Sequence, residues 1–258
     1  MINMSPHLLD YPLLVFVVTA LVLWLAERSG AHRRKRLGAM SDEERSDHNV
    51  VLGAALTLLG LIIGFTFSMA TNRYDQRKNY EEEEANAIGT EYLRVTLLPA
   101  PDAAKARELL RSYAKERVLF YTTRHEGELG QINARTAQLQ NDLWSVIQGP
   151  TIASPTPVAA LVAQGMNDVL NTQGYMQAAW WNRIPMAAWI LMFSIAICCS
   201  YLVGYTAHVL PSASRFRFLP LIVAISFFLV ADIDSPRAGV IRVEPVNIEA
   251  AAASMPVP

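Results

Sequence analysis

The chain contains an unbroken run of 23 residues without a charged side chain, Asn49 to Thr71, and this run limits the folds it can adopt. An α-helix rises about 1.5 Å per residue, so the run can cross a hydrocarbon core of roughly 30 Å. Composition agrees, because 52% of the residues are hydrophobic and 17% are charged, against about 25% charged in a typical soluble domain. The formal net charge of −1 offers no basic excess for nucleic acid. We therefore expect an integral membrane protein that contacts the lipid bilayer and binds no nucleic acid.

Three further apolar segments complete a prediction of four transmembrane helices. The segment after Ile184 is long enough to span a bilayer, and so is the segment near the N-terminus if Asp10 lies at the interface. The uncharged part of the last segment, Phe218 to Ala231, rises only about 21 Å. It spans if Arg217 snorkels and Asp232 faces the protein interior. The predicted spans cover about 8–27, 49–71, 184–207 and 217–232.

The region between the second and third spans, 72–183, has a different composition, with 12 basic and 13 acidic residues. No helix breaker occurs before Pro99, so the second span is predicted to continue out of the membrane. Further helices are predicted over about 101–124, over 128–147 with an end at Gly149-Pro150, and from Val158 into the third span. The sequence therefore predicts an all-α protein with segments 1–71 (spans one and two), 72–183 (extramembrane), 184–234 (spans three and four) and 235–258 (tail, disordered from Glu249).

Catalytic motifs are missing from the sequence. It has no phosphate-binding loop, no nucleophile elbow and no H-E-x-x-H, and its five histidines form no i, i+4 pair. Cys198 and Cys199 are adjacent and cannot form a disulfide framework. The acidic run Glu81 to Glu84 is typical of one solvated helix face, or else lines a vestibule. We expect no enzymatic activity.

The second span carries two stripes at helical spacing. Small residues let helices approach closely in lipid, so the stripe Gly53, Gly60 and Gly64 is predicted to pack on a neighbour. Thr57, Leu61, Phe65 and Met69 recur at i, i+4. In a symmetric oligomer this second stripe can form an apolar constriction that gates by dewetting. Spacing alone favours the alternative, in which Leu61 and Phe65 face lipid or a partner helix.

Two motifs carry a resemblance to a known family. The stretch GFTFSMATNRYDQRK, residues 64–78, resembles the signature that ends the pore helix of the bestrophin anion channels. In that family an arginine lies eight residues after an aromatic, as Arg73 follows Phe65, and aromatic and charged residues come next, here Tyr74 and Asp75. Many bestrophins have Trp-Trp at those last two positions. The second motif is ADIDSPRAG, residues 231–239, and the chain is most similar to the bacterial bestrophin-like proteins.

The resemblance implies a pentamer of four-span, all-helical subunits that conducts small inorganic anions such as chloride. It implies a neck built from the second span, at positions that correspond here to Thr57, Leu61 and Phe65. Thr57 is polar where the family has an aliphatic residue, which implies a shorter constriction. It also implies a bacterial inner-membrane protein. A non-conducting membrane scaffold or sensor with the same fold is the alternative function.

The resemblance also raises the question of calcium, which bestrophins bind through an acidic cluster just after the fourth span. Only Asp232 and Asp234 occupy that place here. Two carboxylates fall short of the six to eight oxygens that Ca²⁺ prefers, although backbone carbonyls can add some. The alternative is that these aspartates cap a helix end or pair with Arg237. No other cofactor is expected.

The charge distribution and the family resemblance predict opposite membrane orientations. Counted only in the short loops and next to the span ends, basic residues number eight on the side that holds the loop between the first two spans and six on the other side. The positive-inside rule therefore favours that loop in the cytoplasm and both termini outside. The resemblance implies instead that both termini and the region 72–183 are cytoplasmic.

Overall fold

The computed structural model describes residues 8–38, 40–206 and 218–256, and all regular secondary structure in these ranges is helical. The all-α prediction is therefore confirmed for this part of the chain. The α-helices are α1 (Pro12–Leu37), α2 (Asp42–Arg94), α3 (Ala100–Thr122), α4 (Glu126–Ala153), α5 (Pro157–Trp181), α6 (Met186–Thr206), α7 (Phe218–Asp234) and α8 (Val246–Ala253). Short 3₁₀ turns cover Leu8–Asp10 and Val95–Leu97. Residue 207 of the predicted third span and Arg217 lie outside the described ranges.

Helix α2 is 53 residues long, as the absence of a breaker before Pro99 predicts. A capping box opens it, because Ser41 Oγ accepts from the N–H of Glu44 and Glu44 Oε2 accepts from the N–H of Ser41. The 3₁₀ turn Val95–Leu97 then leads to Pro99, where α2 can no longer continue. One continuous helix of about 80 Å is thus consistent with the prediction that the second span projects beyond the bilayer.

Two predicted helix boundaries are wrong. Helix α4 passes through Gly149 and Pro150 and ends at Ala153. Proline removes a single N–H, and this close to the end of a helix only one hydrogen bond is lost. Helix α5 does not run into α6, because the chain leaves the helix at Asn182–Pro185. Pro185 disfavours a helical conformation for Ile184.

Long apolar helices account for three candidate membrane spans among the described residues. They lie within Pro12–Leu37, Asp42–Leu97 and Pro157–Thr206. Helix α7 is apolar but only 17 residues long, which corresponds to about 25 Å.

The described chain divides into two compact units. The first comprises residues 1–74 and 183–242, and its core is formed by apolar side chains of α1, α2, α6 and α7. Helices α1 and α6 approach closely where both have glycine. A Cβ at Gly204 would lie 1.8 Å from the carbonyl oxygen of Glu27, and one at Gly30 would lie 2.1 Å from that of Tyr201. Only glycine fits at either place.

The second unit comprises residues 75–182 and 243–258. Its core includes buried Ile88 of α2, Leu110 and Tyr113 of α3, Leu143 of α4 and Met166 of α5. An ion pair lies inside it, since Arg117 of α3 donates to Glu84 of α2, and Tyr121 Oη donates to the same carboxylate at 3.0 Å. Both charged side chains are fully buried.

The tail is not disordered where it was predicted to be. Residues Val246–Ala253 form α8, with Ile248 and Met255 buried in the second unit. Glu81 of α2 accepts the backbone N–H of Asn247 and of Ile248, each at 2.9 Å, and so caps the first turn of α8. The cap comes from a distant part of the chain, which explains why the local composition gave no sign of it.

The acidic run on α2 is also not one solvated face. Glu81 and Glu84 are buried in the second unit, whereas Glu82 and Glu83 are exposed. Successive residues of a helix are about 100° apart, so four in a row surround most of its circumference. The run therefore supplies two internal hydrogen-bond acceptors and two surface charges.

Candidate functional site

The predicted neck residues share one exposed face of α2. Leu61 is 53% exposed and Phe65 is 63% exposed, and Thr57 is exposed as well. On the opposite face Leu59 is 2% exposed and belongs to the core of the first unit. Within the described chain, one side of the second span is thus packed and the other presents apolar side chains at i, i+4 spacing.

Thr57 adds little polarity to this face. Its Oγ1 donates a hydrogen bond of 2.9 Å to the carbonyl oxygen of Gly53, one turn earlier in the same helix. A threonine that satisfies its hydroxyl on its own backbone presents mainly its methyl group outward. The departure from an aliphatic residue at this position is therefore smaller than the sequence suggests.

The glycine stripe lies in open space. A Cβ added at Gly53, Gly60 or Gly64 meets no atom of the described chain within 4 Å. Within the described chain the glycines with close contacts are Gly30, Gly165, Gly204 and Gly239, and the sequence pattern indicated a close contact for none of them. Packing of the α2 stripe on a neighbouring subunit stays a prediction.

The motif after the neck is distributed over different environments. Arg73 is largely buried, and its Nη1 lies 3.8 Å from Oδ1 of Asp234 at the end of α7. Tyr74 packs against the core of the first unit. Asp75 is exposed and belongs to the second unit. The arginine therefore joins the second span to the segment that follows α7.

The acidic pair after α7 is occupied by hydrogen-bond donors. Asp232 accepts the backbone N–H of Val240 through Oδ1 at 2.7 Å and of Ile241 through Oδ2 at 2.8 Å. Asp234 accepts the N–H of Ile184 at 3.2–3.3 Å and Nε of Arg183 at 3.2 Å. Both aspartates are buried. They fix the chain after α7 and the start of the segment that leads into α6.

This donor set does not fit a calcium ion. Ca²⁺ takes six to eight oxygen ligands, whereas the groups that contact Asp232 and Asp234 include backbone N–H groups and two guanidinium groups. Within the described ranges, no group of three or more His, Cys, Asp or Glu side chains is placed to hold a metal. Their contacts fit the alternative stated from the sequence, hydrogen bonding at a helix end and ion pairing, and the arginines involved include Arg183 and Arg73.

Comparison with known proteins agrees with this architecture. The sequence profile of the Bestrophin-like domain matches residues 13–248. The chain belongs to the Bestrophin-like family. No curated protein sequence matches it.

Solved structures share the bestrophin fold with this Bestrophin-like chain. Crystal structures of a bacterial bestrophin homolog from Klebsiella pneumoniae, determined as single-substitution variants, align with it. One has a TM-score of 0.62 at 14% identity and covers 95% of this chain and 98% of its own. Another has a TM-score of 0.65 at 13% identity and covers 93% and 98%. At identities this low, the structural alignments establish a shared fold and nothing more. The family that two short motifs indicated is confirmed by the match of the Bestrophin-like domain.

Two members of the site in this Bestrophin-like chain, Arg183 and Asp10, were not predicted as site residues from the sequence. Arg183 bridges two carboxylates, since its Nη2 donates to Oδ1 of Asp10 and its Nε to Oδ2 of Asp234. These partners lie 173 and 51 positions away. The only local signal was an arginine between a helix end and Pro185, which does not reveal a distant partner.

Proposed function

We propose that this Bestrophin-like protein is an oligomeric channel that conducts chloride and similar small anions passively through a pore lined by α2. The supporting observation is the exposed face of α2, where Leu61 and Phe65 project away from a packed core. In a closed ring of subunits, five by family resemblance, this face lies toward the axis and the second face stays in the subunit core.

The chemistry of the face suits a gated anion path. A narrow ring of apolar side chains excludes water and closes a pore without a polar plug. The edge of an aromatic ring carries partial positive charge, so a ring of Phe65 side chains favours a passing anion over a cation. Leu61 is the steric element in this proposal and Phe65 contributes to selectivity.

The same proposal includes four spans in a bacterial inner membrane. Helix α7 is short, yet its C-terminal aspartates are buried in protein and not exposed to lipid. An ionisable residue that faces the protein interior can lie at the membrane boundary without the cost of lipid exposure.

A chloride-flux assay in liposomes tests the channel. Leu61→Ala combined with Phe65→Ala should raise chloride flux or make it independent of stimulus, because a wider collar stays wet. Leu13→Ala is the control for an exposed leucine on α1, and Leu59→Ala is the control for lost core packing on α2. Only the pore-face variant should increase flux. A subunit that runs as a monomer near 28.6 kDa in nanodiscs would contradict the ring.

The second candidate is a non-conducting membrane scaffold or sensor. The observation in its favour is the exposed apolar surface of the second unit, which includes Leu93, Leu97 and Ile152. Large apolar side chains that remain exposed on a folded unit mark a protein contact where they form a patch. A double variant at Leu61 and Phe65 that assembles as a ring and conducts nothing would favour this function over the channel.

A further inference from the structure

The carboxylates around the end of α7 are balanced by the protein's own cations. Arg183 lies in the break between α5 and α6 and contacts Asp10 and Asp234. Arg73 of α2 approaches the other oxygen of Asp234 at 3.8 Å. At least two guanidinium groups thus lie beside these carboxylates. We call Asp10, Arg73, Arg183 and Asp234 the arginine clasp.

We propose that the arginine clasp takes the place of a divalent cation in this chain, so that the C-terminal end of α7 is held against its neighbouring segments without calcium. Arg183 is the central positioning residue. Its planar guanidinium can hold two carboxylates at fixed angles, as a metal ion would, without a requirement for six oxygen ligands.

Electrostatics and donor geometry both support this exchange. A dication in the clasp would lie within a few ångströms of two guanidinium groups, and like charges at that distance repel each other in a partly buried site. The neighbouring Asp232 cannot compensate, because each of its oxygens already accepts a backbone N–H. Binding calcium would require breaking several charge-assisted hydrogen bonds.

The clasp joins four separate pieces of the first unit: the turn before α1, the second span, the start of the segment into α6 and the end of α7. Asp234 adds the backbone N–H of Ile184 to the same contact. The role of Arg183 is therefore to fix several chain segments at once, independently of whether the protein conducts ions.

Thermal unfolding of the purified full chain in nanodiscs tests the proposal. The wild type should give the same melting temperature in about 1 mM CaCl₂, in matched MgCl₂ and in chelator, a range that suits even weak calcium sites. Arg183→Gln should lower the melting temperature by several degrees, and Arg183→Lys by less, because lysine keeps the charge but not the planar fork. Arg135→Gln, at an exposed arginine, is the matched control.

The combined variant Arg183→Gln with Asp234→Asn isolates the contact. Its loss of melting temperature should be smaller than the sum of the two single losses, because the first substitution already removes the shared interaction. Two results would overturn the proposal: a calcium-specific stabilisation of the wild type that Asp234→Asn abolishes, or an Arg183→Gln protein as stable as the wild type. If Arg183→Gln does not fold, the Arg183→Lys protein and the calcium response of the wild type still decide it.

Discussion

Glu81 of α2 and Asn247 of α8 are 166 positions apart and share two hydrogen bonds. The backbone N–H of Asn247 donates to Oε1 at 2.9 Å, and its side-chain Nδ2 donates to Oε2 at 2.6 Å. A third donor, the N–H of Ile248, reaches Oε1. One buried carboxylate therefore holds the start of a helix whose later part, from Glu249, the sequence alone predicts to be disordered.

Glu81→Gln should loosen α8. The substitution replaces one acceptor oxygen by an NH₂ group that faces N–H donors, and an unsatisfied buried donor costs about 1–3 kcal/mol. Hydrogen exchange of residues 246–256 should become faster by a corresponding factor. Glu82→Gln, at the exposed neighbour, should leave the exchange unchanged. Equal protection in both variants would show that Glu81 does not hold the tail.

Arg117→Met should destabilise the second unit strongly. Arg117 is 0% exposed and pairs with Glu84, so its removal leaves a buried carboxylate without a counter-charge. Breaking such a pair from one side costs about 3–5 kcal/mol. Unfolding followed by the fluorescence of Trp180, which contacts Phe120 with ring centroids 4.8 Å apart, measures the loss.

Adding Glu84→Gln to Arg117→Met should recover part of that stability, because the orphaned charge disappears with its partner. A double variant no more stable than Arg117→Met alone would mean that packing, and not the unpaired charge, dominates the loss.

Glu91 should make the stability of the second unit depend on pH. Its carboxylate is fully buried against Gly165 and has no hydrogen-bond partner among the described residues. Burial raises the pKa of Glu91 from 4.5 to about 8. The charge of Arg94 lowers this pKa and the charge of Asp168 raises it, both by less than burial does. Folding therefore favours the protonated form. Stability should fall as pH rises from about 4.5 to about 8 and then level off, by a few kcal/mol in total, on the order that such a shift implies.

Glu91→Gln should remove most of this slope, because the amide stays neutral across the range. Melting temperatures between pH 5 and pH 9 measure it, with Glu83→Gln as the exposed control. A slope that persists in Glu91→Gln would assign the dependence to another group.

Gly204→Ala should disrupt the contact between α1 and α6. The added Cβ would overlap the carbonyl oxygen of Glu27, and overpacking costs about 1–3 kcal/mol or more. Gly60→Ala is the matched comparison, since its Cβ meets no described atom and alanine favours helix by about 1 kcal/mol. The subunit should tolerate it.

The same Gly60→Ala protein tests the assembly. If the stripe packs on a neighbouring subunit, the fraction of ring in native mass measurements should fall while the subunit stays folded. Unchanged assembly would place the stripe away from the subunit contact.

The parts of the fold that depend on local composition could be predicted from the sequence. Long charge-free runs identified the helices α1, α2 and α6, and the absence of a breaker predicted the length of α2. Helix boundaries failed where one proline was tolerated, as at Pro150, or where one interrupted a continuous pattern, as at Pro185. Hydrophobic periodicity indicates which residues can share a helix face, but it does not indicate whether a helix remains stable after a proline removes one of its hydrogen bonds.

The exposed face of Leu61 and Phe65 was predictable for the same reason, since it follows from helical spacing. The arginine clasp and the Glu81 cap could not be predicted, because their contacting residues are separated by 51 to 173 positions. Nothing in the local sequence around Arg183 or Glu81 indicates which distant residue each of them contacts. The acidic pair was identified as a site, but its chemistry depended on which cations the fold brings to it.

The division of the second unit between 75–182 and 243–258 affects the order in which the protein can be completed during synthesis. Residues 75–182 leave the ribosome before α6 and α7 are made, and Ile248 and Met255 follow only after both. During that interval Glu81 lacks the N–H donors of Asn247 and Ile248, and the core of the second unit lacks the side chains of Ile248 and Met255. The second unit therefore lacks its last helix until α6 and α7 have been made, so its folding can be completed only after synthesis of the helices that separate its two parts in the chain.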